Sequence, residues 1–303
     1  MSYAAIAREK AALVERTGLL GEGSALAGRL VARFFIAGFG NAEQRAAWMP
    51  RLAAVAISEP SVGVHPKLLT ARAEVDGDGY RIFGDKAWVT NGPLAEVFIV
   101  LAVTSMEAGR KRYSAFLVPR DTPGLTIDEA PQYRALAPSR HCGLRLDGCR
   151  VPHAALLGEP GAAYESMALP FRDVEDAAGL FGLLGAFRFA LQRLAVCGAG
   201  DAAVLSLGEL VGLVAVFAEA AETVIAALDA GELAHQAATL VGLRVMAGEL
   251  LRRVRAHCNA FGPHDDDSVA RVFGDIETAL SVARGPRQAR AARLGASLVA
   301  SSC

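Results

Sequence analysis

At 303 residues, with 52% of them hydrophobic and a formal net charge of −1, the chain is long enough to bury a sizeable core in two or three layers. Its 31 Lys and Arg balance 32 Asp and Glu, so no basic excess argues for nucleic acid and no acidic block for a solvating tail. The five cysteines (Cys142, Cys149, Cys197, Cys258 and Cys303) form no CxxC pair, which argues against a zinc ribbon or redox motif and fits reduced thiols in a cytoplasm.

Residues 1–56 are rich in Ala, Leu, Glu and Arg and read as a short helical region. Met1-Ser2-Tyr3 shows no basic stretch followed by an apolar one, so no signal peptide is expected. Asn41 is a plausible N-cap for a short helix over 42–49, with Pro50 beyond its end.

Residues 57–156 change character. Leu69, Ala71, Ala73 and Val75 alternate with Thr70, Arg72 and Glu74, the period of a half-buried strand. Asp76-Gly77-Asp78-Gly79 supplies a tight hairpin, and Tyr80, Ile82 and Phe83 begin the return strand. Val97 to Val103 predicts a strand buried on both faces, and Tyr113 to Val118 another, stopped by Pro119. Leu125-Thr126-Ile127 and Cys142 to Leu146 complete five or six strands, a small antiparallel barrel or sandwich. Within this region the hydroxyls of Ser58 and Thr90 and the indole of Trp88 suit the frame of a flat heterocycle with a polar edge, which suggests a flavin site.

From 157 onward apolar residues recur at three- and four-residue spacing, predicting helices near 161–197, 202–229, 232–260, 267–283 and 287–300 in an antiparallel bundle. The fold class is therefore α+β: a short N-terminal helical region (1–56), a central antiparallel β barrel or sandwich (57–156) and a C-terminal helical bundle (157–303). The longest apolar run, Leu210 to Ala218, is too short to span a bilayer. Leu205, Leu210, Leu213, Val214 and Phe217 read as a surface too apolar for a solvated helix, which predicts a homodimer or tetramer. Arg252, Arg253 and Arg255, then Arg284, Arg287, Arg290 and Arg293, suit either a phosphate-rich ligand or a solvated helix face, and the solvated face is the simpler reading. The histidines show no metal-ligand spacing; His264-Asp265-Asp266-Asp267 reads as an acidic interhelix loop in which an Asp caps the next helix.

The order of these regions and four motifs within them resemble the acyl-CoA dehydrogenase family, as a divergent, shortened member. Ile57-Ser58-Glu59-Pro60 is similar to that family's hydrophobic-Thr-Glu-Pro segment. The run from Gly77 to Gly92 is similar to its Gly-Asp-x-Tyr-x-Leu-Asn-Gly-x-Lys-x-Trp-Ile-Thr-Asn-Gly run. Phe116-Leu117-Val118-Pro119 with Pro123-Gly124-Leu125, and Leu144 to Pro152, resemble the following strands. The resemblance implies FAD as cofactor and an acyl-CoA thioester as substrate, with an electron acceptor it leaves unknown. It implies that Ile57 and Ser58 meet the pyrimidine end of the flavin, that Trp88 packs on the ring, and that Thr90 bonds near the reactive nitrogen. Val89, between them, belongs to the same cofactor-facing set.

Desaturating an acyl thioester needs a carboxylate to take the α-proton. The family's usual Glu is replaced here by Ala283 or Arg284, and a guanidinium cannot accept a proton. Some members carry the base on the first long bundle helix, where Asp173, Glu175 and Asp176 stand; Glu175 is the candidate base, against the plainer reading of a surface acid beside Arg172. The segment reaching a neighbouring subunit's FAD is replaced by Gly198-Ala199-Gly200-Asp201, and the Gly-Gly turn at the pyrophosphate by Asn259-Ala260-Phe261-Gly262. Val62-Gly63-Val64-His65 replaces Ala-Gly-Ser-Asp, and the N-terminal helical region is about half the usual length. Three functions stay open: an acyl-CoA dehydrogenase-like flavoprotein, a non-catalytic subunit paired with a full-length homologue, or a flavin-dependent oxygenase on the same scaffold.

Overall fold

A computed structural model describes residues 1–65, 67–128, 136–196, 200–263 and 266–301. Cys197, Gly198, Ala199, His264, Asp265 and Cys303 lie outside the described residues. The chain divides into two compact units, one of Met1–Gly23 with Val174–Cys303 and one of Ser24–Asp173.

The second unit is built on a largely antiparallel sheet. Before it come α2 (Ala27–Val31), α3 (Ala37–Phe39) and α4 (Ala42–Trp48). Helix α4 starts at Asn41 as expected, in a capping box: Asn41 accepts from Gln44 N at 2.8 Å and the Gln44 side chain accepts from Asn41 N at 2.9 Å. The strands are β1 (Ala53–Ala56), β2 (Arg72–Asp76), β3 (Gly79–Thr90), β4 (Val97–Glu107), β5 (Arg110–Pro119), β6 (Leu125–Asp128), β7 (His141–Pro152) and β8 (Leu156–Leu157). Their order is β6-β7-β3-β2-β4-β5-β8, with β1 on β4; β1 and β2 pair with β4 in parallel and the other pairs are antiparallel. Eight strands replace the expected five or six because β1 and β8 span only 4 and 2 residues, too few to show an alternation. β4 is buried from Val97 to Ala102 as its continuous apolar run requires, and Ile82, Val89, Phe98, Phe116 and Leu144 fill the core of this unit.

The other unit is helical: α1 (Tyr3–Thr17), the part of α5 (Leu169–Leu194) from Val174, α6 (Asp201–Asp229), α7 (Ala237–Phe261), α8 (Asp267–Ser281) and α9 (Arg284–Ser301). Ser2 caps α1 by accepting from Ala5 N at 3.1 Å, and Asp229 at the end of α6 accepts from Tyr3 N at 2.8 Å and Ala4 N at 3.0 Å. The carboxylate thus meets the positive end of the α1 dipole. Asp266 caps α8, accepting from Ser268 N at 2.9 Å, so the acidic loop supplies a cap as read.

One expectation changes for α6. Leu210, Val214 and Phe217 face the unit's own core, and of the five residues assigned to an outer surface only Leu205 is strongly exposed, at 68%. The exposed apolar set is Val204, Leu205, Val211 and Val216. The helix is also long and apolar enough, by length and composition, to cross a membrane, with 33% of its most apolar window buried. Counting only consecutive apolar residues misses this, because Glu209 and Glu219 interrupt the run without ending the helix.

Candidate functional site

The site assembles in the sheet unit around a carboxylate that sequence reading passed over. Glu59 is 4% exposed. Its Oε2 accepts from Thr70 N at 2.7 Å and Thr70 Oγ1 at 2.9 Å; its Oε1 accepts from Ala71 N at 2.9 Å and Lys86 Nζ at 3.0 Å. Lys86, also buried, donates to the Ile57 carbonyl at 3.2 Å, and Ala87 N donates to the Ser58 carbonyl at 2.9 Å. Burial alone raises the Glu59 pKa, but the Lys86 charge and the Thr70 and Ala71 N–H groups outweigh it and hold the carboxyl below its usual value. Burial pushes the Lys86 ammonium down from 10.5, with Glu59 opposing. Both charges are therefore paired and hydrogen-bonded, the condition for keeping them inside. The pair fastens the 57–59 segment to β3 at the point where the candidate ring-facing side chains emerge.

The loop after Glu59 closes on itself. Glu59 N donates to the Gly63 carbonyl at 2.9 Å and Gly63 N to the Glu59 carbonyl at 3.1 Å. Tyr164 Oη donates to the Val64 carbonyl at 3.2 Å, holding the loop by its backbone.

The Trp88-Val89-Thr90-Asn91-Gly92 run has a separate local reason at each step. Register between β3 and β7 shifts between Lys86 and Val89, and in that bulge Trp88 takes φ 57°, a left-handed conformation costly for a bulky residue. The bulge turns the indole out of the sheet, 51% exposed. Val89 is fully buried in the core, so its side chain is not on the exposed side that Trp88 occupies. Thr90 is half-buried and returns to the Trp88 side: its Oγ1 lies 3.2 Å from His141 Nδ1, and the His141 ring stands edge-on to the indole with centroids 6.4 Å apart. Ser139 Oγ lies 3.0 Å from His141 Nε2, so the imidazole is held at both nitrogens. Asn91 is left-handed and buried; its N donates to the Arg140 carbonyl and its Nδ2 to the Ser24 carbonyl, each at 2.8 Å. Gly92 is required by close approach, since a Cβ there would lie 2.2 Å from Cys142 Sγ.

Trp88, Thr90 and His141 therefore share one face, beside the half-buried Ile57 and Ser58. An exposed indole, adjacent hydroxyls and a rigid backbone suit a planar aromatic ligand with a polar edge, so the residues present fit a flavin. Glu59, Lys86 and His141 were missed. The first two were legible as a Glu and a Lys inside the matching motifs, but nothing in the sequence alone shows that they meet.

In the helical unit, the candidate base Glu175 is exposed on α5, and its charge acts on Lys10 of α1. Asp176 beside it is buried and held by Arg287 at 2.6 Å. Ala283 is left-handed between α8 and α9, and Arg284 opens α9 exposed, so neither position expected to hold the family's Glu bears a carboxylate. Cys142, Cys149 and Cys258 are buried thiols outside any disulfide among the described residues.

A sheet unit whose β3 carries Trp88-Val89-Thr90-Asn91-Gly92, in a chain with a separate helical unit, is the composition of an acyl-CoA dehydrogenase-type scaffold. Residues 54–149 match the acyl-CoA dehydrogenase middle domain. The human mitochondrial short-chain specific acyl-CoA dehydrogenase is 35% identical over 133 residues, which cover 42% of this chain and 32% of that protein. Acyl-CoA dehydrogenase from Geobacillus kaustophilus shares the fold at a TM-score of 0.82 and 22% identity, over 97% of this chain and 83% of that one. Glutaryl-CoA dehydrogenase from Mycobacterium smegmatis in complex with FADH2 aligns at a TM-score of 0.74 and 25% identity, over 86% of this chain and 71% of that one. Residues 54–149 thus match the middle domain of the acyl-CoA dehydrogenase family, and the chain shares the fold of acyl-CoA dehydrogenases. Its sequence match spans about a third of the length of the human relative, 32%.

Proposed function

We propose that the chain binds FAD on the Trp88 face of β3 and acts on an acyl-CoA thioester by α,β-desaturation. One observation carries the reading: a left-handed, half-exposed Trp88 beside the Thr90 hydroxyl, both fixed by the buried Glu59–Lys86 pair. When bound, FAD supplies the two-electron acceptor that desaturation requires. Trp88 would pack on the ring, and Ser58 and Thr90 would bond its polar edge. Val89 would contribute through its backbone alone. Glu175 is the carboxylate assigned to the α-proton, because Asp176 is already neutralised by Arg287. The exposed Val204, Leu205, Val211 and Val216 support self-association through α6, and a clean monomer in sedimentation at micromolar concentration would contradict it.

The chain has two tryptophans, so Trp48→Phe leaves Trp88 as sole reporter. FAD titration is expected to quench that fluorescence, with Thr90→Val weakening binding about tenfold, the loss of one hydrogen bond. A protein that neither quenches nor keeps flavin absorbance after desalting overturns the cofactor assignment. With FAD bound, an acyl-CoA panel is expected to bleach the flavin, and Glu175→Gln to slow bleaching by about 100-fold or more. Unchanged bleaching in Glu175→Gln removes Glu175 as base. No bleaching by any thioester in a protein that holds FAD favours a non-catalytic subunit, supported here by Ala283 or Arg284 at the usual base position.

A further inference from the structure

His141 has no assigned task in the flavin reading, yet it stands directly across the sheet from a residue that has one. It opens β7 and pairs in register with Thr90, which ends β3. The adjoining pair, Val89 and Cys142, is fully buried in the core, whereas Thr90 and His141 are half-buried. Directly opposed residues on one face bring their side chains together, and here Thr90 Oγ1 lies 3.2 Å from His141 Nδ1. At the other end of the ring, Nε2 lies 3.0 Å from Ser139 Oγ, two residues earlier in the chain. The backbone of this segment is fixed as well. Ser139 N donates to the Leu136 carbonyl and Asn91 N to the Arg140 carbonyl, each at 2.8 Å.

A hydroxyl carries one proton and two lone pairs, so what Thr90 offers a ligand depends on what it gives to His141. With the ring proton on Nδ1, that N–H donates to Thr90 Oγ1, the Ser139 hydroxyl donates to Nε2, and the Thr90 proton stays available. With the ring proton on Nε2, Ser139 Oγ accepts, Thr90 donates its proton to Nδ1, and only lone pairs are left for a ligand. The unprotonated ring nitrogens and the carbonyl oxygens of an oxidised flavin are acceptors. Only the first arrangement lets Thr90 bond them.

We propose that His141 is a positioning residue for the cofactor: its Nδ1–H donates to Thr90 Oγ1 and leaves the Thr90 proton for an acceptor on the polar edge of the flavin. This role rests on the reading that FAD lies on the Trp88 face. The gain is preorganisation, since the hydroxyl is oriented among its staggered positions before the ligand arrives.

Calorimetric titration with FAD of the wild type, His141→Leu, Thr90→Val and the double variant tests it. Thr90→Val removes the bond itself. His141→Leu leaves the hydroxyl but frees it, and is expected to weaken FAD binding about three- to fivefold. In the Thr90→Val background the same substitution is expected to have no further effect, because a residue that acts through another loses its influence with it. His141→Asn puts an amide N–H near the place of Nδ1 and should hold binding within about twofold of wild type. His141→Gln reaches the place of Nε2 instead and should bind like His141→Leu; it carries the same comparison if His141→Leu does not fold by circular dichroism. Additive losses in the double variant overturn the role, since His141 would then act through the indole or the backbone. So does a His141→Asn as weak as His141→Leu, or a His141→Gln as tight as wild type. Equal FAD affinity in wild type and His141→Leu removes the role and leaves the cofactor assignment standing, whereas a wild type that binds no FAD removes both.

Discussion

Glu59 is the residue on which the candidate site turns. Its two oxygens take four hydrogen bonds, from two consecutive backbone N–H groups, one hydroxyl and the buried Lys86 ammonium. Glu59→Gln leaves Lys86 charged, or forces it neutral, in a place without water. Breaking such a pair is expected to cost about 3–5 kcal/mol, measured by urea unfolding, whereas a surface pair such as Arg72–Glu74 contributes about 0–1 kcal/mol at most. The pH dependence follows from the lowered carboxyl pKa. The folded state keeps Glu59 ionised to lower pH than the unfolded chain, whose value is near 4.5. Its stabilisation is complete above 4.5 and is lost as pH falls through the folded-state value. Wild type is thus expected to lose stability on acidification below 4.5 by more than Glu59→Gln does; parallel curves would show that the pair does not titrate as described.

At the scale of elements, β3 and α6 show what sequence can and cannot carry. The hairpin at Asp76–Gly79, the apolar β4 and the cap at Asn41 were legible because each depends on local chemistry: turn residues, burial on both faces, a side chain reaching a nearby N–H. Trp88 and Thr90 share one face as the sequence groups them, but Val89 was grouped with them although its side chain is buried in the core. The bulge that sets Trp88 outward depends on pairing with β7, some fifty residues on, which no local pattern reveals. The same limit explains α6. A periodic apolar helix tells that one stripe is buried, and not which of two apolar stripes it is. Phe217 lies on the inner stripe and Val211 on the outer one. Phe217→Ala is therefore expected to cost about 3–5 kcal/mol of stability. Val211→Glu should change it by less than about 0.5 kcal/mol while raising solubility or splitting an oligomer. Comparable destabilisation by both substitutions would mean that α6 is oriented otherwise.

For the whole molecule, the candidate site lies in one compact unit: Ile57, Ser58, Trp88 and Thr90 fall within Ser24–Asp173. Sequence order does not mark this division, because Met1–Gly23 belongs with the C-terminal helices; Asp229 capping α1 and Arg8 meeting Glu222 at 2.7 Å are contacts more than 200 residues apart in the chain. Hydrogen exchange tests that placement, since protection reports the local opening free energy of each segment. A ligand that binds only the native state lowers opening wherever opening destroys its site. FAD is therefore expected to slow exchange in 57–59 and across 86–92, including the Ala87 amide bonded to Ser58. FAD protection that spares 86–92 would place the ring elsewhere.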